Sequence, residues 1–339
     1  MGDRINTLRF SDAAIIVDSC VEQKRPCFIW GAPGLGKSAM INGIADRRRE
    51  KDPAYQLLDI RASMLDPVDG MGVPEVRNGR TYFNPPGWLP DDGDGIIFLD
   101  ELSNAPDSVQ HMLLQLVLDR RLGSYSLPDG WAIVAAGNRI SDGTFSRKLS
   151  KALGSRFATH IELVVDLDDW CKWAIDAGVK PEFIAFLRLR PDLLHCFDPK
   201  DTGESFPCPR TWESASRMYG TIPERLELPY LAGTLGDGPA TEVVAFLRTF
   251  REMPNLDAAM INPASFEPPE SPAMLYAICG AMAHKANKDN AGGAFAIMEK
   301  LPVEFQVLWL RDALILKRGL PETPEFTRWI VKNGELLTP

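Results

Sequence analysis

The chain has 339 residues, 45% of them hydrophobic and 24% charged, with a formal net charge of −9. That composition suits a soluble globular protein of about two domains with a sizeable core. The negative balance argues against a protein whose main work is gripping nucleic acid, and no apolar run reaches the ~18 residues of a membrane span.

Residues 1–6 lack the apolar core of a signal peptide. The six cysteines (Cys20, Cys27, Cys171, Cys196, Cys208, Cys279) show no C-x-x-C spacing, so thiols acting as small hydrophobes in a reducing cytoplasm are expected. His195, Cys196 and Cys208 would need a fourth ligand to make a zinc site. Ser11 is placed to cap a helix running to Gln23, with Ala14, Ile15, Val17 (or Asp18, by register) and Val21 turned inward.

Cys27-Phe28-Ile29-Trp30, bounded by Pro26, predicts a short buried strand. Gly31-Ala32-Pro33-Gly34-Leu35-Gly36-Lys37-Ser38 follows, and it fits the phosphate-loop pattern G-x-x-x-x-G-K-[ST] without departure. In that pattern glycines let backbone N–H groups curl around β- and γ-phosphates, the lysine brings a charge to them, and the serine hydroxyl serves Mg²⁺. Met40, Ile41 and Ile44 then fall at helical spacing, so the loop opens a helix whose N-terminal dipole favours phosphate. The run Arg47-Arg48-Arg49-Glu50-Lys51 reads as that helix's solvated end.

A strand is expected over Tyr55–Ile60. Asn78-Gly79 between the β-prone arms of 72–83 is a strong hairpin signal, and the hairpin is either a structural decoration or a protruding contact device. Gly95-Ile96-Ile97-Phe98-Leu99-Asp100-Glu101 is an apolar strand ending in two acids, where ligands of a parallel sheet bind. Asp100 can hold Mg²⁺ through water, and Glu101 can orient and deprotonate the water that attacks a γ-phosphate.

Asn104 is expected to cap a helix with Pro106 in its first turn and Val109, Met112, Leu113, Leu116 and Val117 on its core face. Leu122–Leu127, the turn Pro128-Asp129-Gly130 and the segment from Trp131 predict a second hairpin leading into a strand at Ala132–Ala136. Asn138, just past that strand, can hydrogen-bond a γ-phosphate or the attacking water; by itself it would be a turn residue. Arg147, Lys148, Lys151 and Arg156 follow on a predicted helix and turn, before a strand at Ile161–Val165.

Beyond Asp166 the pattern is helical: one helix carries Leu167, Trp170, Cys171 and Ala174, a second starts at Pro181, a third follows Pro209-Arg210-Thr211, and a fourth holds Val243, Phe246 and Leu247. The proline-rich segment at 262–272 reads as a linker, followed by helices near 273–286, 291–300, 303–318 and 324–332.

The order of these parts resembles the AAA+ ATPases, and within them the MoxR-like, helix-2-insert group. G-A-P-G-L-G-K-S at 31–38 is similar to Walker A, I-I-F-L-D-E at 96–101 to Walker B, and A-A-G-N-R at 135–139 to sensor 1. By position, L-G-S-R-F at 153–157 is similar to the arginine-finger segment and C-P-R-T-W at 208–212 to sensor 2. The likeness covers about residues 10 to 220.

The resemblance implies an α/β fold: a P-loop NTPase domain with a parallel five-stranded sheet flanked by helices (1–165), an all-α lid (166–255) and a helical C-terminal extension (256–339). It implies ATP and Mg²⁺ as cofactors, Ser38 and Asp100 near the metal, and Glu101, Asn138, Arg156 and Arg210 as catalytic. It also implies a homo-oligomeric ring of six subunits in which Arg156 reaches the neighbour's γ-phosphate. Such a ring would remodel a protein client beside a partner with a von Willebrand factor A domain. The rival readings are a nucleic-acid motor, against which stand the net charge and the lack of an aromatic–basic strand-binding stretch, and an ATP-gated scaffold, against which stands Glu101. A GTPase lacks its N-K-x-D segment here.

Overall fold

The structure, a computed structural model, describes residues 6–142, 149–201 and 203–336. Arg147 and Lys148 lie outside the described residues. The chain divides into two compact units, one running to Asp166 and taking in Phe197–Asp201, the other holding Leu167–Cys196 and the chain after Asp201.

The first unit runs β1 (Thr7–Leu8), α1 (Phe10–Glu22), β2 (Cys27–Trp30), α2 (Lys37–Arg49), β3 (Gln56–Arg61), α3 (Pro67–Met71), β4 (Val73–Arg77), β5 (Arg80–Asn84), β6 (Gly95–Asp100), α4 (Asp107–Asp119), β7 (Arg121–Leu122), β8 (Tyr125–Ser126), β9 (Trp131–Gly137), α5 (Lys151–Gly154) and β10 (Thr159–Leu163). The main sheet is parallel with strand order β1-β10-β2-β9-β6-β3. It has six strands where five were expected: the two-residue β1 pairs Thr7 with Glu162 and Leu8 with Leu163 at the edge.

The continuous apolar runs follow from burial on both faces. Cys27 and Ile29, Ile96 and Phe98, and Ala132 and Val134 pack with α1 and α2. The alternate residues Phe28 and Trp30, Ile97 and Leu99, and Ile133 and Ala135 pack with α4, Leu153 and Phe157. In α1 Val17 and Val21 are buried as expected and Ala14 packs partly buried against the same core, whereas Ile15 is exposed and Ala13 takes its place on the inward stripe. Its N-cap is Arg9 rather than Ser11.

Two other expectations change. Asn104 closes a short 3-10 turn at Leu102–Asn104, and α4 begins after Pro106 without a side-chain cap. The second hairpin pairs Leu122 with Tyr125 and turns at Gly123-Ser124; the Pro128 turn instead delivers the chain into β9 of the parallel sheet. The first hairpin stands as expected, Arg77 opposite Arg80 around Asn78 and Gly79, both at positive φ (51° and 72°), as a two-residue primed turn requires.

The second unit is helical: α6 (Leu167–Asp176), α7 (Pro181–Leu189), α8 (Pro209–Met218), α9 (Glu227–Leu235), α10 (Asp237–Arg251), α11 (Leu256–Ile261), α12 (Pro272–Lys285), α13 (Ala291–Met298), α14 (Val303–Ile315) and α15 (Pro324–Asn333). It has two apolar cores. One gathers Trp170, Phe183, Phe186, Trp212 and Phe246; the other gathers Leu256, Ile278, Met282, Phe295, Trp309 and Trp329. Helix α12 serves both, giving Ala277 to the first and Leu275, Ile278 and Cys279 to the second. Among the described residues no helix is long and apolar enough to cross a membrane.

Candidate active site

The parallel sheet brings β2, β9 and β6 together side by side, so the segments leaving their carboxyl ends become neighbours. From β2 the chain enters the loop 31–38. Gly31 and Leu35 are buried, while Ala32, Pro33, Gly34, Gly36, Lys37 and Ser38 are half-buried. Gly36 immediately precedes α2 at φ 84°, ψ 20°, a left-handed conformation that disfavours a side chain, so the loop ends directly at a helix N-terminus, where the first N–H groups have no partner within the helix.

Lys37 Nζ donates to the carbonyls of Gly31 (2.6 Å) and Ala32 (3.0 Å) and to Asn138 Oδ1 (2.9 Å). An ammonium can only donate, so the Asn138 oxygen faces Lys37 and its amide N–H₂ is left as a donor. Asn138 is held from behind: its backbone N–H donates to Ser103 Oγ at 3.0 Å, and Ser103 is fully buried. Gly137 leaves room for that hydroxyl, since a Cβ there would stand 2.6 Å from Ser103 Oγ and 3.0 Å from Phe28.

Ser38 Oγ donates to Asp100 Oδ2 at 2.8 Å, which ties the start of α2 to the end of β6. The other Asp100 oxygen accepts from the Glu101 N–H at 2.8 Å. Glu101 sits at φ 54°, ψ 29°, a left-handed conformation unusual for a residue with a side chain. Its carboxylate accepts a 2.5 Å hydrogen bond from Ser63 Oγ, in the 3-10 turn (Ala62–Met64) after β3. Asp59 on β3 has its carboxyl pushed up, first by burial and then by the Asp100 charge, with Arg61 opposing.

Among the described residues no group of three or more His, Cys, Asp or Glu is placed to hold a metal, so His195, Cys196 and Cys208 form no zinc cluster. The Ser38 hydroxyl and Asp100 carboxylate are hard oxygen donors in contact. They fit Mg²⁺, which takes one or two protein oxygens and completes its shell with water and phosphate.

Arg139, next to Asn138, lies with its guanidinium 4.2 Å from the centre of the Trp30 ring and donates to Glu162 Oε2 at 2.8 Å from Nε. Arg156 is exposed on the turn after α5 and makes no ion pair among the described residues. Arg210 is exposed in the first turn of α8, in the second unit. Lys37, Ser38, Asp100, Glu101 and Asn138 are thus brought into one constellation within the first unit. The supporting residues Ser63, Ser103 and Glu162 carry no sequence signal of their own.

No family profile matches the chain, and no curated relative matches it. Distant likenesses exist among solved structures. NtrX from Brucella abortus in complex with ADP is 14% identical with a TM-score of 0.41, over 96% of this chain and 68% of that one. The same protein in complex with ATP is 15% identical, with the same TM-score and the same coverage. A RuvB mutant from Thermotoga maritima is 13% identical with a TM-score of 0.35, over 96% of this chain and 87% of that one.

Proposed function

We propose that the chain binds ATP with Mg²⁺ in the loop 31–38 and hydrolyses it. The observation that carries this reading is the convergence of three contacts at the carboxyl ends of adjacent strands: Lys37 with Asn138, Ser38 with Asp100, and Glu101 with Ser63. Backbone N–H groups of the loop and Lys37 take the β- and γ-phosphates, whose oxygens replace the carbonyls that Lys37 now contacts. Ser38 and Asp100 would hold Mg²⁺, which neutralises phosphate charge when bound. Glu101 accepts the proton of the attacking water, and the Asn138 amide donates to the γ-phosphate or to that water.

We further read the chain as a MoxR-like AAA+ remodelling ATPase of the cytoplasm, with an α/β domain over 1–165, a lid over 166–255 and an extension over 256–339. In this reading it assembles as a homomeric ring, six subunits in the family it resembles, and acts on a protein client beside a von Willebrand factor A domain partner. Arg210 would meet the nucleotide from the lid. Arg156, exposed and without an ion pair among the described residues, would reach the nucleotide of the next subunit, where an arginine on developing γ-phosphate charge is worth about 10³–10⁵ in rate.

Mixing tests the shared site. Arg156→Ala subunits keep a sound pocket and lack the arginine; Lys37→Ala subunits hold nucleotide poorly and keep it. Each alone should be nearly inactive, and mixed assemblies should recover part of the phosphate release. No recovery despite demonstrated co-assembly, or full activity of Arg156→Ala alone, would refute a trans-acting Arg156.

A further inference from the structure

The register of β2 against β10 sets Phe28 opposite His160 and Trp30 opposite Glu162, so all four side chains share one face of the sheet. Trp30 Nε1 and His160 Nδ1 are 3.0 Å apart. An indole N–H can only donate, so Nδ1 accepts. The other ring nitrogen, Nε2, lies 2.8 Å from the Gly154 carbonyl, an acceptor, and must therefore carry the proton. Both partners select the same neutral tautomer, so the imidazole is a bridge of fixed polarity.

Each end of this bridge is anchored to a part of the site. Trp30 is the last residue before the phosphate loop, and the Arg139 guanidinium covers its ring while pairing with Glu162. Gly154 stands two residues before Arg156, in a turn closed by Arg156 N–H to Leu153 O (3.0 Å). Phe157 meets Phe28 edge-on at 5.1 Å and His160 at 5.9 Å. The same turn, whose Leu153 and Phe157 are buried in the core, borders on its other side an open cavity of about 590 Å³ lined by Trp30, Arg139, Ser150, Lys151, Gly154 and His160. On the cavity side, the hydrogen bond from His160 ties the Gly154 carbonyl to the sheet.

We propose that His160 is a positioning residue for Arg156: by bridging Trp30 to Gly154 it fixes the arginine-bearing turn to the strand that feeds the phosphate loop. The proposal rests on the reading of Arg156 as acting on a neighbouring subunit's nucleotide. A residue of this kind acts on the interface its own subunit donates to, and leaves its own pocket sound.

The experiment measures ATP turnover of the full-length His160→Phe protein, which keeps a ring and loses both hydrogen bonds. Its KM for ATP should stay within about threefold of the parent while kcat falls at least about tenfold, the pattern of a contact made only in the transition state. Mixed with Lys37→Ala subunits, which donate an intact Arg156 turn, it should recover turnover; mixed with Arg156→Ala subunits it should not. Trp30→Phe, which removes the indole N–H together with part of the ring that Arg139 covers, should behave in the same way and decides the matter if His160→Phe does not fold.

Recovery with Arg156→Ala in place of Lys37→Ala would place His160 in its own pocket and overturn the proposal. Recovery with neither, or parent-like kcat in either variant, would overturn it too. The Lys37→Ala with Arg156→Ala mixture is the reference. If that pair recovers, a failure belongs to His160 alone; if it does not, the trans role of Arg156 fails and this proposal falls with it.

Discussion

Ser63 and Glu101 share a 2.5 Å hydrogen bond that occupies the carboxylate assigned to take a proton from water. That hydrogen bond engages Oε2 alone, where its donor competes with the attacking water. Ser63→Ala removes the competitor, and basal ATP turnover should rise about two- to fivefold with nucleotide affinity unchanged. A fall in kcat would mean that Ser63 aims the carboxylate instead of restraining it; initial-rate measurements decide. That Lys37, Ser38, Asp100 and Glu101 would gather was legible in the sequence, because the G-x-x-x-x-G-K-[ST] pattern marks the first two and an apolar strand ending in two acids marks the others. Ser63 and Ser103 were not, because a lone serine at a strand end carries no pattern. The pairing of Arg139 with Glu162 joins residues 23 apart through strand order, which no local reading supplies.

At the scale of elements, the hairpin β4–β5 is exposed along nearly its whole length, with Val73, Val76, Tyr82 and Phe83 open to solvent. Strands that bury so little contribute little to folding. Shortening the hairpin across Asn78-Gly79 should therefore leave the melting temperature within about 3 °C and basal turnover within about twofold. A cooperative loss of folding on circular dichroism would show the hairpin to be structural. This element was legible because Asn-Gly dictates a two-residue turn. The β7–β8 hairpin was misplaced because Pro128-Asp129-Gly130 is the louder turn signal, while the pairing is set around Gly123 at φ 59°. Helix α9 escaped notice because Pro229 and Gly233 interrupt its pattern; the proline lies in the first turn, where a missing N–H costs nothing.

Across the whole molecule, the alternation of β2, β6 and β9 and the phosphate loop made the α/β class readable, whereas the two-residue β1 is too short to announce itself. The second unit depends on a buried pair: Arg188 on α7 and Asp312 on α14 have side chains only 10% and 5% exposed, with Nη2 and Oδ1 at 2.7 Å. Asp312→Ala strands a buried guanidinium and should destabilise that unit by about 3–5 kcal/mol, seen as a lowered denaturation midpoint. A midpoint within error of the parent would show the charge to be solvated.

The claim on which the rest depends is that Glu101 is the base of an ATP-hydrolysing site, and Glu101→Gln tests it most directly. An amide cannot take a proton from water, yet it leaves Lys37, Ser38 and Asp100 in place to hold nucleotide and Mg²⁺. Phosphate release by Glu101→Gln should fall by about 10² or more while the Kd for ATP stays within about threefold. Phosphate release at the parent rate, with ATP bound, would contradict the account.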